Sequence, residues 1–143
     1  MATKPSLALK RRFKAPPAQL YQAWTQPEKM IRWWGVTGHD KTPIAETDLR
    51  VGGRFNVQFW TPDGAHQSVS GVYREVVPDQ KLVFTWAWKS TPERESLVTV
   101  ALKPDGAGTM MTFVHAQLFN EAVRDNHREG WTGAFDKLEV LYA

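Results

Sequence analysis

Leu7, Leu9, Arg11 and Phe13 alternate with Ala8, Lys10, Arg12 and Lys14. That period of two predicts a first strand, with Leu9, Arg11 and Phe13 on its inner face. Pro16-Pro17 ends it, and proline suits the first turn of a helix. Leu20, Ala23 and Trp24 then recur at helical spacing. Pro27 predicts a break and a second short helix carrying Met30, Ile31, Trp33 and Trp34, closed by Gly35 and Gly38.

From Ile44 the pattern is that of strands for some seventy residues. Ile44 to Leu49 predicts a short strand, and Arg50-Val51-Gly52-Gly53 a tight turn. Phe55, Val57 and Phe59 alternate with Asn56, Gln58 and Trp60 before the Thr61-Pro62-Asp63-Gly64 turn. Ser68 to Val77 follows, then the Pro78-Asp79-Gln80 turn. Leu82, Phe84, Trp86 and Trp88 alternate with Val83, Thr85 and Ala87, and Thr91-Pro92-Glu93 turns the chain again. Leu97 to Leu102 and Thr109 to His115 flank a turn at Pro104-Asp105-Gly106 and Gly108.

The period then changes. Val123, His127, Trp131, Ala134, Phe135, Leu138 and Leu141 recur every three or four residues, as on one stripe of a long helix. Asn120 is its expected N-cap, with Asp125 as an alternative start. Gly130 and Gly133 interrupt the stripe, and each costs about 1 kcal/mol relative to alanine. Close backbone packing against the sheet is the expected reason; a groove that admits a bound molecule is the alternative. Hairpin-length turns make the sheet antiparallel, and only the last helix has a stripe wide enough to cover it. The expected class is α+β, a curved antiparallel sheet of six or seven strands around a long C-terminal helix, with two short helices after the first strand. The 143 residues read as one domain, without repeats, low-complexity tracts or linkers.

Composition narrows the chemistry. The absence of cysteine removes disulfides, thiol nucleophiles, iron–sulfur clusters and cysteine-rich zinc sites. The net charge of +3 is mild, and the one dense basic run, Lys10-Arg11-Arg12 with Lys14, reads as a solvated strand edge. No nucleic-acid partner is therefore expected. No apolar run is long enough to span a bilayer, and the N-terminus has no secretory h-region, so the expectation is a cytoplasmic protein without membrane insertion. Histidines 39, 66, 115 and 127 have no metal-ligand spacing. With no nucleophile elbow, phosphate loop or dinucleotide fingerprint either, no metal, cofactor or catalytic residue is assigned. Seven tryptophans are the unusual feature, and imply an aromatic core or a lined cavity.

Several motifs together resemble a known family. They are Arg11-Arg12-Phe13-Lys14-Ala15-Pro16, Ala23-Trp24-Thr25-Gln26-Pro27-Glu28, Trp33-Trp34-Gly35, Asp48-Leu49-Arg50-Val51-Gly52-Gly53 and Gly71-Val72-Tyr73-Arg74-Glu75-Val76-Val77-Pro78, followed by Gly108-Thr109 with His115, and Gly130-Trp131. In this order, over nearly the whole chain, they resemble the activator of heat-shock-protein-90 ATPase homologue-like family of the SRPBCC superfamily. The resemblance implies the helix-grip fold of START and birch-pollen-allergen proteins, and a hydrophobic cavity between sheet and terminal helix.

The candidate walls of that cavity are Phe55, Val57, Phe59, Phe84, Trp86, Met111, Phe113, Trp131 and Phe135, with Trp33 and Trp34 closing one mouth. Dense filling of a core is the alternative for the same residues. Arg11 and His115 fall on the inward register, as a structural pair or as binders of a ligand's polar head. A buried arginine needs a partner, for which Glu75, Glu46 and Asp48 are the candidates. The expected function is a small-molecule-binding domain for an apolar or amphipathic ligand, as a monomer or homodimer. The alternatives are a cyclase- or hydrolase-type enzyme using Arg11, Glu75 and His115, and a chaperone-activator-like interaction domain. The last is less favoured, since the activator's separate N-terminal domain has no counterpart in these residues.

Overall fold

The computed structural model describes residues 4–34 and 43–143. Gly35 and Gly38, expected to close the second helix, lie outside the described residues. The elements run β1 (Leu7–Phe13), α1 (Pro17–Thr25), α2 (Pro27–Met30), β2 (Ile44–Thr47), β3 (Arg54–Trp60), β4 (His66–Val77), β5 (Lys81–Trp88), β6 (Ser96–Asp105), β7 (Gly108–Ala116) and α3 (Glu121–Leu141). All seven strands join one sheet in the order β1-β7-β6-β5-β4-β3-β2, and every neighbouring pair is antiparallel. β3 to β7 follow one another as a meander because their connections are hairpin turns, whereas β1 crosses to pair with β7. The basic strand β1 is thus a sheet edge, with Lys10, Arg12 and Lys14 exposed as the alternation requires.

The turns follow from their residues. Gly52 and Gly64 adopt φ of +85° and +89°, which L side chains rarely tolerate. Gly71 sits where β4 and β5 come together, and a Cβ there would overlap the Thr85 carbonyl oxygen. Thr85, on the polar phase of the alternation, is nevertheless buried, because its hydroxyl accepts the Val72 N–H at 2.8 Å beside a register shift in β4. β2 is shorter than expected and ends at Thr47, because the Asp48 N–H and the Arg50–Gly53 turn close the hairpin.

α1 begins with Pro17 at its first turn and buries Leu20, Tyr21, Ala23 and Trp24. α2 is a single turn. Trp33 and Trp34 lie beyond it, held by N–H bonds to the Met30 carbonyl at 3.2 and 3.0 Å rather than inside a longer helix. Asn120 caps α3, its Oδ1 accepting the Val123 N–H at 2.9 Å. The helix lays Trp131, Ala134, Phe135 and Leu138 on the sheet. Leu141, expected on this stripe, is 44 % exposed because the last turn runs past the buried segment.

Aromatic rings make the centre of the core. Trp24 of α1 lies within 6.2 Å, centroid to centroid, of Trp33, Trp34, Phe84, Phe113, Trp131 and Phe135. Edge-to-face pairs such as Phe113–Phe135, at 5.1 Å and 81°, contribute about 0.5–1.5 kcal/mol each beyond burial. One helix, two short helices and one sheet face thus share a single aromatic layer. No described helix is long and apolar enough to cross a membrane.

Candidate functional site

The aromatic layer does not fill the space beneath α3 completely. A cleft of about 510 Å³ lies between that helix and the β3–β5 end of the sheet. The sheet supplies Phe59, Gln67, Trp86 and Trp88, with Thr61 from the β3–β4 turn, and Trp34 closes the end nearest the short helices. α3 supplies Asn126, His127, Gly130, Trp131 and Ala134, one face over two and a half turns. The volume is in the range of small-molecule sites. Among the described lining residues five are Trp or Phe, and none carries a formal charge.

A glycine on the helix face adds to the open space. A Cβ placed on Gly130 meets nothing within 4 Å, and the same holds for Gly133. The expectation that these glycines allow close helix–sheet packing is therefore not met, since no neighbour approaches either one. Gly130 lies on the cleft instead, and its missing side chain is part of the open space.

Two histidines hold the wall in place through indole donors. Trp131 Nε1 donates to His115 Nδ1 at 3.1 Å, so the His115 proton must sit on Nε2. That nitrogen lies 2.7 Å from Ser96 Oγ, and the serine hydroxyl donates in turn to the Trp86 carbonyl at 3.2 Å. His127 has the opposite tautomer. Its Nε2 accepts Trp88 Nε1–H at 3.0 Å, and its Nδ1 donates to the Val123 carbonyl at 2.7 Å. Both rings are neutral and fully bonded. Burial lowers the His115 pKa to about 3, with a further lowering from His127, whose ring lies 5.1 Å away. Burial also lowers His127, against a smaller opposing effect of the Val123 hydrogen bond.

This arrangement decides what the site can do chemically. Ser96 and His115 have the spacing of a nucleophile and its base, but Nε2 already carries the proton and the hydroxyl already donates elsewhere. The pair therefore cannot activate the serine, and both residues are buried. Arg11 faces inward as expected, yet its partner is none of the three proposed carboxylates. Nη1 lies 2.9 Å from Oδ1 of Asp136 on α3. The guanidinium N–H is poorly aligned for a hydrogen bond, which leaves an ion pair with an aspartate 65 % exposed. Glu75 pairs with Lys81 at 3.4 Å and Asp48 with Arg50 at 2.9 Å, while Glu46 is exposed on the edge strand β2. Arg11 and Glu75 lie on strands four places apart in the sheet, so Arg11, Glu75 and His115 do not meet. No group of three or more metal-ligating side chains occurs among the described residues.

Of the sequence-predicted site residues, Trp34, Phe59, Trp86 and Trp131 line the cleft. Trp33, Phe55, Val57, Phe84, Met111, Phe113, His115 and Phe135 are buried in the core behind it, and Arg11 is at the β1 edge. The cleft residues not among the proposed walls are Thr61, Gln67, Trp88, Asn126, His127, Gly130 and Ala134, although Gly130 lies where the alternative reading put a groove. Two of them carried a signal, a histidine and a glycine three apart on an otherwise apolar helix stripe. A second groove of about 510 Å³ lies on the opposite sheet face, along Asn56, Gln58, His66 and Ser68. There the polar groups bond one another, as in Gln58 Nε2 to Asn56 Oδ1 and Asn56 Nδ2 to Ser68 Oγ, both 3.1 Å.

Comparison with solved structures finds the same fold repeatedly. The AHSA1 protein from Silicibacter pomeroyi is 27 % identical with a TM-score of 0.80, the match covering 95 % of this chain and 96 % of that one. A putative uncharacterised protein from Rhizobium leguminosarum is 28 % identical with a TM-score of 0.80, covering 95 % and 92 %. A Chromobacterium violaceum protein reaches a TM-score of 0.83 at 24 % identity, covering 96 % of each chain. No curated protein matches. The family model described as Activator of Hsp90 ATPase homolog 1-like protein matches residues 14–143, so the chain belongs to that family, a branch of the SRPBCC superfamily with the helix-grip fold.

Proposed function

We propose that this protein is a small-molecule-binding domain that holds an apolar or amphipathic ligand in the cleft under α3. The observation that carries this reading is Gly130. A helix of 21 residues accepts a helix-weakening glycine over a cleft walled by tryptophans, where a larger side chain would meet only empty space. Apolar walls with a few polar groups at the rim, here Thr61, Gln67 and Asn126, are what an apolar ligand with one wet end requires. The ligand's buried part is uncharged, because among the described residues no side chain of opposite charge lines the cleft to receive an ion.

An enzyme of the same fold would need a general base or nucleophile at the cleft. The two buried histidines are committed to indole and hydroxyl partners, which favours binding over turnover. Native mass spectrometry of the freshly purified protein, followed by extraction and identification of whatever co-purifies, tests the proposal. A bound apolar species near unit stoichiometry is expected, and Gly130→Leu should purify without it. Equal cargo on both proteins would place the ligand elsewhere. Stimulation of a chaperone ATPase by the purified domain, unaffected by Gly130→Leu, would favour the interaction reading instead.

A further inference from the structure

Four indoles line the cleft, and they fall into two classes. Trp88 and Trp131 are committed, since each donates its N–H to a histidine and so fixes both the ring and the tautomer. Trp34 and Trp86 are uncommitted. Each is only 5 % exposed, yet neither indole N–H has an acceptor among the described residues or is open to solvent. A buried donor without a partner is costly, and tryptophan N–H groups inside proteins usually find one. Trp33, close by but not on the cleft, shows the usual solution, donating to the Ala23 carbonyl at 3.0 Å. Trp24 is also unpartnered, but it sits within the core and does not line the cleft.

Resting on the ligand-binding reading above, we infer that the cleft selects molecules bearing a neutral hydrogen-bond acceptor of the carbonyl type on an apolar ring frame, received by the indole N–H of Trp34 or Trp86. The two rings pack against each other, 5.7 Å apart at 42°, and both line the cleft, so a group seated there lies beside both. As the rings stand neither N–H is exposed to the cleft, and turning either one toward it breaks no hydrogen bond, because neither makes one. The acceptor is neutral rather than anionic, because no lysine, arginine or protonated histidine lines the cleft among the described residues. Binding would thus supply the partner that the fold withholds from two of its tryptophans.

A matched pair of probes tests this. Tetralin and 1-tetralone share a bicyclic frame and differ by one methylene exchanged for a carbonyl. In a wall with nothing to offer the carbonyl, tetralin binds more tightly, because the ketone forfeits its hydrogen bond to water. The inference expects the reverse order, with 1-tetralone tighter by about threefold to tenfold. In nitrogen–proton correlation spectra of the full chain, 1-tetralone should move the indole resonance absent from Trp34→Phe or Trp86→Phe, and tetralin should leave it near its free position. At least one of these variants should bring the two affinities together or reverse them. Tighter binding of tetralin, with no indole shift specific to the ketone, would overturn the inference and leave the cleft as a purely apolar site. Failure of both probes to perturb any cleft residue would overturn the ligand-binding reading as well.

Discussion

Replacing Gly130 with alanine is expected to stabilise the protein. Gly130 is the tenth residue of the 21-residue α3, away from both frayed ends. Its φ is not positive, so alanine adopts the same backbone. The new methyl meets nothing within 4 Å, so no packing is disturbed. What remains is helix propensity, worth about 1 kcal/mol in favour of alanine. For a chain of 143 residues that corresponds to a rise in Tm of about 3 °C. Gly133→Ala has the same surroundings and should give a similar gain. Thermal and urea unfolding of both variants, monitored by tryptophan fluorescence and far-ultraviolet circular dichroism, measure it. Destabilisation of Gly130→Ala by 1 kcal/mol or more would refute the reasoning, because it would mean that the glycine is needed for close approach of the helix to the sheet.

Three further outcomes are expected. Stability should fall on acidification from pH 6.5, because the unfolded chain takes up protons that neutral His115 and His127 refuse; His115 alone contributes a slope of about 1.4 kcal/mol per pH unit, ending as the pH reaches its folded pKa of about 3. Denaturant titrations at pH 7.5, 6.0 and 5.0 check this, and equal midpoints would contradict the neutral assignment. Trp131→Phe leaves His115 Nδ1 without its donor and opens a small void, so a loss of about 2–3 kcal/mol is expected in guanidinium unfolding; a change below 0.5 kcal/mol would mean that the bond carries no weight. Asn120→Ala removes the cap from α3 and should cost about 1 kcal/mol by the same measurement, with Asn120→Asp close to wild type.

The succession of elements along the chain was legible because both periods are clean. Phe55, Val57 and Phe59 alternate without interruption, and the helix stripe from Trp131 to Leu138 has no charged residue in register. The family motifs and the derived architecture agree with the observed sheet, short helices and terminal helix. The site was less legible, for a physical reason. Periodicity reports which face a residue occupies, but a cleft and a filled core share the same face. Phe84 and Trp86 are two residues apart on β5 with equal claims, and only the second reaches the cleft. Arg11 shows the same limit: its direction followed from register, but its partner Asp136 lies 125 positions later on α3. Hydrogen bonds of this kind join side chains across the fold, and a single sequence carries no record of them. The tautomers of His115 and His127, and hence the inertness of Ser96, come from indoles 16 and 39 residues away.

The central question is whether an apolar molecule occupies the cleft beside Gly130. Titration with the neutral fluorophore N-phenyl-1-naphthylamine, comparing the wild-type protein with Gly130→Leu, measures this. The expected result is saturable binding at one site per chain with energy transfer from tryptophan, reduced at least tenfold in affinity by the leucine, while the variant's Tm stays at or above that of the wild type. Equal binding by the two proteins, or no saturable binding by the wild type, would contradict it.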